Sequence, residues 1–318
     1  VKLLHSVTEI SGSAFEGCSS LEKILLPDTL TKIESLAFLG CTSLTSVTIP
    51  KKVSYISGNI FQTCSNLEEI KVIEGNSSYV SVDHCLYNYD QTEILICPPK
   101  KTEINLPGSV NTIGSGAFRG CSNLTKINIP ANMEYEYLSG STFEGCSSLT
   151  QIDVSEENSK YAGEEGCLYN KDKTKIIAYP GAKGALTIPK NVKEISYEAF
   201  ENSSNLTEIV IPNNVSKIDS SAFWGCSNLS KVEVLEGNAN YVSEEGCLYD
   251  KNKTEILICP GGKTEAAISP GVTKIGHYAF YQCSSLTQID IPDSVEEIGW
   301  NAFNGCKKIT KITFKGTA

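Results

Sequence analysis

The feature that most constrains this sequence is a Phe followed three residues later by a small residue, usually at intervals of 23 residues. The motif occurs nine times, with Cys in eight copies and Ser in one. A repeat this short predicts a solenoid, in which each unit packs only against its neighbours and presents an extended surface. The pattern therefore favours binding or scaffolding over catalysis in a closed pocket. The phenylalanines are Phe15, Phe38, Phe61, Phe118, Phe143, Phe200, Phe223, Phe280 and Phe303.

One repeat unit can be divided into three segments. Apolar residues at Val47 and Ile49 alternate with a polar one, which predicts a short half-buried strand, and Pro50 ends it because proline has no N–H for the ladder. A second segment returns along another side. A single helical or 3₁₀ turn then places Phe61 and Cys64 on one face.

Three longer intervals of 57 residues contain related inserts, near residues 73–98, 155–180 and 235–260. Each insert has two short apolar runs separated by Asn, Asp and Lys residues, which is typical of a β-hairpin. We expect one continuous domain over residues 1–318 with about 12 to 14 coils. Because the sequence begins in the middle of a strand of the repeat, ends just past the matching strand and lacks polar caps, we also expect a fragment of a longer protein.

The repeat resembles the BspA-like leucine-rich repeats of bacterial and protist surface proteins. The matching pattern, L-x-x-I-x-I-P followed by A-F-x-G-C, is found at Leu124, Ile127, Ile129, Pro130, Ala222, Phe223, Gly225 and Cys226. The resemblance implies an α/β repeat: a right-handed leucine-rich-repeat solenoid, β-rich, with short helical or 3₁₀ turns and three hairpin inserts. It also implies a secreted or cell-surface protein whose relatives adhere to host matrix proteins or other cells.

Composition excludes several classes of function. The net charge of −10 argues against a nucleic-acid partner, which needs a Lys- and Arg-rich face. Apolar runs are only a few residues long, far shorter than a membrane span requires. We expect a monomer.

The cysteines and histidines do not indicate a catalytic site, a metal site or a disulfide framework. The thirteen cysteines are odd in number and fixed to the repeat, which favours small buried side chains over disulfides or a zinc site. The three histidines occupy unrelated repeat positions, and Gly261-Gly262-Lys263-Thr264 lacks the first glycine of a phosphate-binding loop. We therefore predict no catalytic residue, no metal and no cofactor, and a protein that is not an enzyme.

Two surfaces are candidates for ligand binding. The first is the outward column of the strand ladder, predicted to be polar and continuous, with acidic members Asp153, Glu233 and Asp290. The second is a group of aromatic residues late in the chain: Trp224, His277, Tyr278, Tyr281 and Trp300. Solvation alone would explain the column, and packing against a loop or a missing coil would explain the aromatic group.

Three functional hypotheses follow from these surfaces. The first is a non-enzymatic extracellular module that binds a host matrix protein or a cell-surface protein of a neighbouring cell. The second is a surface protein that binds a glycan through its aromatic residues. The third is a passive structural spacer.

Overall fold

The computed structural model describes residues 1–134 and 137–315. This part of the chain contains 28 strands of two to five residues and one 3₁₀ helix, η1 (Gly140–Phe143), and no α-helix. The Cα positions form two compact units, residues 1–138 with 142–163 and residues 139–141 with 164–318.

Strands of the first unit are β1 (Glu9–Ile10), β2 (Lys32–Ile33), β3 (Ser46–Ile49), β4 (Tyr55–Ile56), β5 (Glu69–Val72), β6 (Tyr79–Val82), β7 (Cys85–Asn88), β8 (Glu93–Ile96), β9 (Glu103–Asn105), β10 (Thr112–Ile113), β11 (Lys126–Ile129) and β12 (Gln151–Val154). Strand β13 (Tyr161–Glu164) contains the boundary between the units.

Strands of the second unit are β14 (Cys167–Asn170), β15 (Lys175–Ala178), β16 (Leu186–Thr187), β17 (Glu194–Ile195), β18 (Glu208–Ile211), β19 (Lys217–Ile218), β20 (Lys231–Val234), β21 (Tyr241–Glu244), β22 (Cys247–Asp250), β23 (Glu255–Ile258), β24 (Glu265–Ala267), β25 (Lys274–Ile275), β26 (Gln288–Pro292), β27 (Glu297–Ile298) and β28 (Lys311–Lys315).

Parallel pairing between successive coils builds the first unit. On one side β3 pairs with β5, and β9, β11 and β12 form a second ladder. Val47 lies opposite Ile70, both are buried, and Thr48 between Val47 and Ile49 is exposed, as the alternating pattern predicts. On another side the two-residue strands β1, β2 and β4 pair in the same parallel sense.

The second unit follows the same plan. Its longer ladders are β16–β18–β20 and β24–β26–β28, while β15–β17–β19 and β23–β25–β27 pair in parallel on the other side. The outward strand column expected to be continuous is instead divided among four sheets, two in each unit. The division falls at the inserts, where antiparallel strands replace a coil of the parallel ladder.

The Phe and Cys residues of the repeat form the interior of both units, except in the first and last coils, where Cys18 is exposed and Cys306 is half-buried because no further coil covers them. Phe38 stacks between Phe15 and Phe61, with ring centroids 5.3 and 5.5 Å away, and Phe200 stacks on Phe223 at 5.0 Å. Each turn closes by a backbone bond such as Cys64 N–H to Phe61 O, 3.1 Å. The thiol then reaches back one coil, so that Cys64 Sγ donates to Phe38 O at 3.0 Å and Cys226 Sγ to Phe200 O at 3.1 Å. Phe38 O and Phe200 O also accept the backbone N–H groups that close their own turns, so each thiol uses the second lone pair of a carbonyl and links one coil to the next.

Each insert contains an antiparallel meander. In the first, β6 pairs with β7 and β7 with β8, and β8 then joins the parallel strand β10. The third repeats this arrangement with β21, β22, β23 and β25, and β14 and β15 form the equivalent pair of the second. The antiparallel strands lie within the predicted insert ranges, and the parallel partners β10 and β25 follow them in the next coil. The apolar runs predict only two strands in each insert. The meander has one more, which is β6 in the first insert and β21 in the third.

A buried Asn fixes the start of each insert. Asn76 donates to the carbonyl oxygens of Pro50 (2.9 Å) and Val53 (3.0 Å), and its side-chain oxygen accepts from the N–H groups of Ser78 and Tyr79. Asn158 and Asn238 make the same set of bonds in the other two inserts. The recurring N-x-x-Y of the inserts is therefore a structural anchor.

The observed architecture is a β-solenoid of about 13 turns with almost no helix. The α/β label and the helical turns expected from the sequence are not confirmed, since η1 is the one helix among the described residues and the other Phe turns are single hydrogen-bonded turns. Right-handed winding and a single continuous domain remain predictions.

Candidate functional site

Four aromatic side chains in the second unit form an aromatic cluster: Trp224, Tyr278, Tyr281 and Trp300. The Trp224 ring lies 4.5 Å from Tyr278 and 5.0 Å from Tyr281, measured between centroids, and both pairs are tilted. Tyr278 meets Tyr281 at 5.6 Å and Trp300 at 5.2 Å, both edge to face. These are favourable geometries for aromatic pairs, so the predicted aromatic residues do come together in space.

The third insert creates the place that the cluster occupies. Where a regular coil has its Phe turn, this coil has Cys259-Pro260-Gly261, and Cys259 N–H donates to Ala279 O (2.7 Å) in the position that Phe200 N–H takes toward Ala222 O. A Cβ on Gly261 would lie 2.8 Å from Cys226 O, so only glycine fits against that backbone. The coil that contains Cys259-Pro260-Gly261 is therefore narrower at this point than a coil with a Phe turn, and we call it a thin coil. Aromatic side chains from the coils on either side cover it.

A small cavity of about 10 Å³ remains beneath the cluster, which is about the size of one water molecule. Trp224, Tyr278 and Tyr281 line it on the outer side, with Cys259 and Gly261 below. The indole Nε1 of Trp224 is buried without a hydrogen-bond partner in the described structure. Gly261 is a site residue that the sequence pattern did not indicate, although the 57-residue interval with Cys-Pro-Gly in place of the Phe motif locates it.

The first unit contains a matching site in which none of the positions of Trp224, Tyr278 and Tyr281 is aromatic. Beside the first insert, a cavity of the same size lies between Gln62, Arg119, Gly116 and Pro99. Gln62 holds the repeat position of Trp224, and Arg119 holds that of Tyr281 and pairs with Glu144 at 2.9 Å. The solenoid thus closes over a thin coil with polar side chains, and the aromatic residues of the second unit are not a requirement of the fold.

Trp300 is the most exposed member of the cluster, with 65% of its surface accessible. Its backbone N–H donates to Nδ1 of His277 at 2.8 Å, and its carbonyl accepts from Tyr278 N–H at 3.1 Å. Because Nδ1 of His277 accepts this hydrogen bond, the neutral imidazole has its hydrogen on Nε2. His277 is exposed to solvent. The site therefore offers one open indole beside a solvent-facing imidazole.

The predicted acidic residues lie elsewhere. Asp153 is on β12 in the first unit, where Lys126 approaches to 2.8 Å, and Glu233 on β20 pairs with Lys231 at 2.6 Å. Partial burial acts to raise the pKa of Asp153, but hydrogen bonds from Lys126 and Gln151 lower it overall. Asp290 is on β26, in a different sheet from Glu233. Glu233 and Asp290 therefore do not share a ladder, and Asp153 and Glu233 each pair with a lysine of their own unit.

Among the described residues, no group of three or more His, Cys, Asp or Glu side chains could hold a metal ion. Burial raises the pKa of the Cys64 and Cys226 thiols to about 12, so neither is a thiolate near neutral pH. None of the helices in residues 1–134 and 137–315 has the length and apolarity to span a bilayer.

Stacked short coils, parallel ladders and a repeated apolar turn define the class of protein: a β-solenoid repeat protein. A family model described as the BspA type leucine-rich repeat region (6 copies) matches residues 1–101, 97–182, 182–264 and 262–318. The chain belongs to the BspA-type leucine-rich repeat family, which confirms the resemblance seen in its motifs.

Several solved structures are similar to this chain. A leucine-rich cell surface protein from Faecalibacterium prausnitzii is 26% identical with a TM-score of 0.53, and the match covers 99% of this chain and 79% of that one. The pneumococcal vaccine antigen PcpA is 22% identical, with 98% and 61% covered and a TM-score of 0.40. A leucine-rich repeat protein from Eubacterium ventriosum is 21% identical, with 100% and 83% covered and a TM-score of 0.43. A comparison with curated proteins finds no match.

Proposed function

We propose that this protein is a non-enzymatic extracellular module that binds a host protein or a protein of a neighbouring cell, with the aromatic cluster as its anchor. The observation that carries the proposal is the contrast between the two thin coils. The same structural place holds Gln62 and Arg119 in the first unit and Trp224 and Tyr281 in the second. Since the fold accepts polar residues there, the aromatic residues are available for a partner.

The chemistry of the cluster supports this role. Trp and Tyr are enriched among the residues that dominate protein interfaces, because each buries a large rigid surface and carries a polar group. Trp224, Tyr278 and Tyr281 support one another from below, so Trp300 projects from a preorganised base. The surface location of the F. prausnitzii relative supports an extracellular setting.

The test is a binding screen of the purified chain against extracellular matrix proteins and cell-surface proteins, followed by affinity measurement for each protein that binds. Trp300→Ala should weaken binding at least about tenfold, which corresponds to about 1.4 kcal/mol. Because Trp300 is exposed, this variant should keep the melting temperature of the parent chain.

Matched controls separate the cluster from the fold. Gln62→Ala changes the position in the first unit that corresponds to Trp224, and it should leave affinity unchanged. Equal losses of binding affinity in Gln62→Ala and Trp300→Ala would contradict the proposal. If no protein binds above background, the passive spacer becomes the better description.

A glycan is the second candidate ligand, favoured by the open indole of Trp300 beside the solvent-facing His277. Sugar rings stack on exposed aromatic faces and take hydrogen bonds from groups at the ring edge. A glycan array with parent and Trp300→Ala chains distinguishes the two classes. Sugar binding that disappears in the variant, with no protein hit, would replace the main proposal.

A further inference from the structure

The third insert brings two cysteines face to face. Strands β22 and β23 run antiparallel with Leu248 opposite Ile258, so Cys247, one residue before, faces Cys259, one residue after. The two Sγ atoms are 3.5 Å apart, and both residues are buried. A β-bulge interrupts the register between Leu248 and Tyr249, on the side away from the two thiols.

The first and second inserts form a natural comparison. In the first, Leu86 lies opposite Ile96, so the same register places Cys85 opposite Cys97, and a hydrogen bond with the Cys97 thiol raises the pKa of Cys85. In the second, Leu168 lies opposite Ala178, and the residue that faces Cys167 is Tyr179. The Tyr179 hydroxyl donates to Gly184 O at 3.1 Å, so this insert holds only one thiol at the position.

Disulfide geometry fits the paired inserts. Directly opposite residues of antiparallel strands have Cα atoms about 4.5 to 5.5 Å apart, within the range of about 4.4 to 6.8 Å that disulfides require. The sulfur atoms of Cys247 and Cys259 must close from 3.5 Å to about 2.0 Å. Rotation about side-chain bonds can supply that movement while the backbone pairing stays in place.

We propose that the first and third inserts each carry a latent cross-strand disulfide, Cys85–Cys97 and Cys247–Cys259, which a small-molecule disulfide forms by exchange. The second insert, with Tyr179, cannot form one. The bond in the third insert lies directly beneath the aromatic cluster, since Cys259 lines the cavity under Trp224. Oxidation would therefore cross-link the two strands of the coil that lies beneath the aromatic cluster, which is the proposed anchor.

The exchange is balanced in two steps. The thiolate of one cysteine attacks a sulfur of the small disulfide, which breaks the small S–S bond and releases one reduced small thiol. The thiolate of the facing cysteine then attacks the mixed disulfide, forms the protein S–S bond and releases the second small thiol. Both protein thiol protons go to solvent or to the leaving thiolates, and the small disulfide is the electron acceptor.

Burial sets the rate of this reaction. Cys247 and Cys259 are shielded from solvent, and desolvation raises the pKa of Cys259 well above its usual range. Thiolate and oxidant can meet only when the meander opens locally, so oxidation should be slow and should speed up as the chain is warmed toward its melting temperature. This behaviour suits a bond that forms gradually outside the cell and is then protected.

The experiment incubates the full chain with oxidised glutathione, blocks the remaining thiols after unfolding, and maps tryptic peptides by mass spectrometry. Residues 232–251 contain Cys247 as their one cysteine, and residues 254–263 contain Cys259 as theirs. These two peptides should be recovered as a linked pair that separates on reduction. Residues 72–100 contain both Cys85 and Cys97 and should lose two hydrogen atoms, while residues 161–171, with Cys167, should carry the blocking group.

Two variants keep the proposal falsifiable. Cys259→Tyr copies the second insert and should abolish the linked pair while leaving the Cys85–Cys97 product, and Cys247→Ser should give the same result if the first variant fails to fold. The proposal is overturned if Cys259 is instead linked to residues 275–307, which contain Cys283 and Cys306. It is also overturned if glutathione remains attached to single thiols, or if the thiols stay reduced after incubation close to the melting temperature.

Discussion

The buried Asn238 side chain provides a quantitative test of how the inserts are held. It is 1% exposed and uses its full hydrogen-bonding capacity. Its amide nitrogen donates to the carbonyl oxygens of Pro212 and Val215, each at 3.0 Å. Its oxygen accepts from the N–H groups of Asn240 (2.8 Å) and Tyr241 (2.9 Å). Asn238→Ala would remove all four bonds at once.

The expected loss follows from the number of bonds. Each hydrogen bond contributes about 1 kcal/mol net, so Asn238→Ala should lower the free energy of unfolding by about 4 kcal/mol. Asn228 is the matched control because it is exposed and makes one bond, from its amide nitrogen to Ser204 O at 2.7 Å. Asn228→Ala should cost no more than about 1 kcal/mol.

Urea unfolding followed by circular dichroism measures the two free energies. Because solenoid repeats can lose structure locally, hydrogen exchange at β20 and β21 should show whether the coil opens before the rest of the chain. The reasoning is refuted if the losses in unfolding free energy of Asn238→Ala and Asn228→Ala differ by less than about 1 kcal/mol. The four hydrogen bonds of Asn238 would then contribute no more to stability than the one bond of Asn228.

Three further predictions concern accessibility and charge. Maleimide should label the exposed Cys18 fast and the half-buried Cys306 more slowly, with the other eleven thiols modified only after unfolding; early labelling of any of the eleven would contradict their burial. Trp224→Phe should leave red-shifted emission that acrylamide quenches strongly, and Trp300→Phe should leave shielded emission; equal quenching would rule out the cluster geometry. Partial burial acts to raise the pKa of Glu194, but hydrogen bonds from lysines on the two adjoining coils lower it overall. The ion pairs should therefore stabilise the fold at neutral pH, by less than about 1 kcal/mol at this exposure, and that contribution should be lost progressively as the pH falls from the ordinary Glu pKa of about 4.3 through the lower pKa of the folded state. Glu194→Gln should thus differ from the parent chain at pH 7 and match it in acid, and a difference that persists in acid would show another cause.

The interior and the period of the solenoid were predictable because they are local properties of the sequence. Alternation at Val47 and Ile49 describes a strand whose partners lie one period away, and Phe61 and Cys64 form a turn closed by their own backbone. The family follows from the same motifs. The aromatic residues could also be chosen from sequence, since they depart from the composition of their repeat positions.

The repeat period could not predict which side chains meet when an insert separates their two coils. Trp224 and Tyr281 are 57 residues apart and meet because the intervening coil replaces its Phe turn with Cys259-Pro260-Gly261. The division of the outward column into four sheets has the same origin, as antiparallel strands take the place of a parallel one.

The Phe-x-x-Cys repeat by itself therefore determined a stack of short coils with the thiols inside wherever another coil covers them, because its spacing dictates which side chains each coil must bury. Only the tertiary structure decided which thiols face each other and which aromatic rings touch. Those outcomes depend on strand register within the meander, where a shift of one residue would turn Cys247 away from Cys259. The exposure of Trp300 is likewise a property of the stacked coils and not of its sequence position.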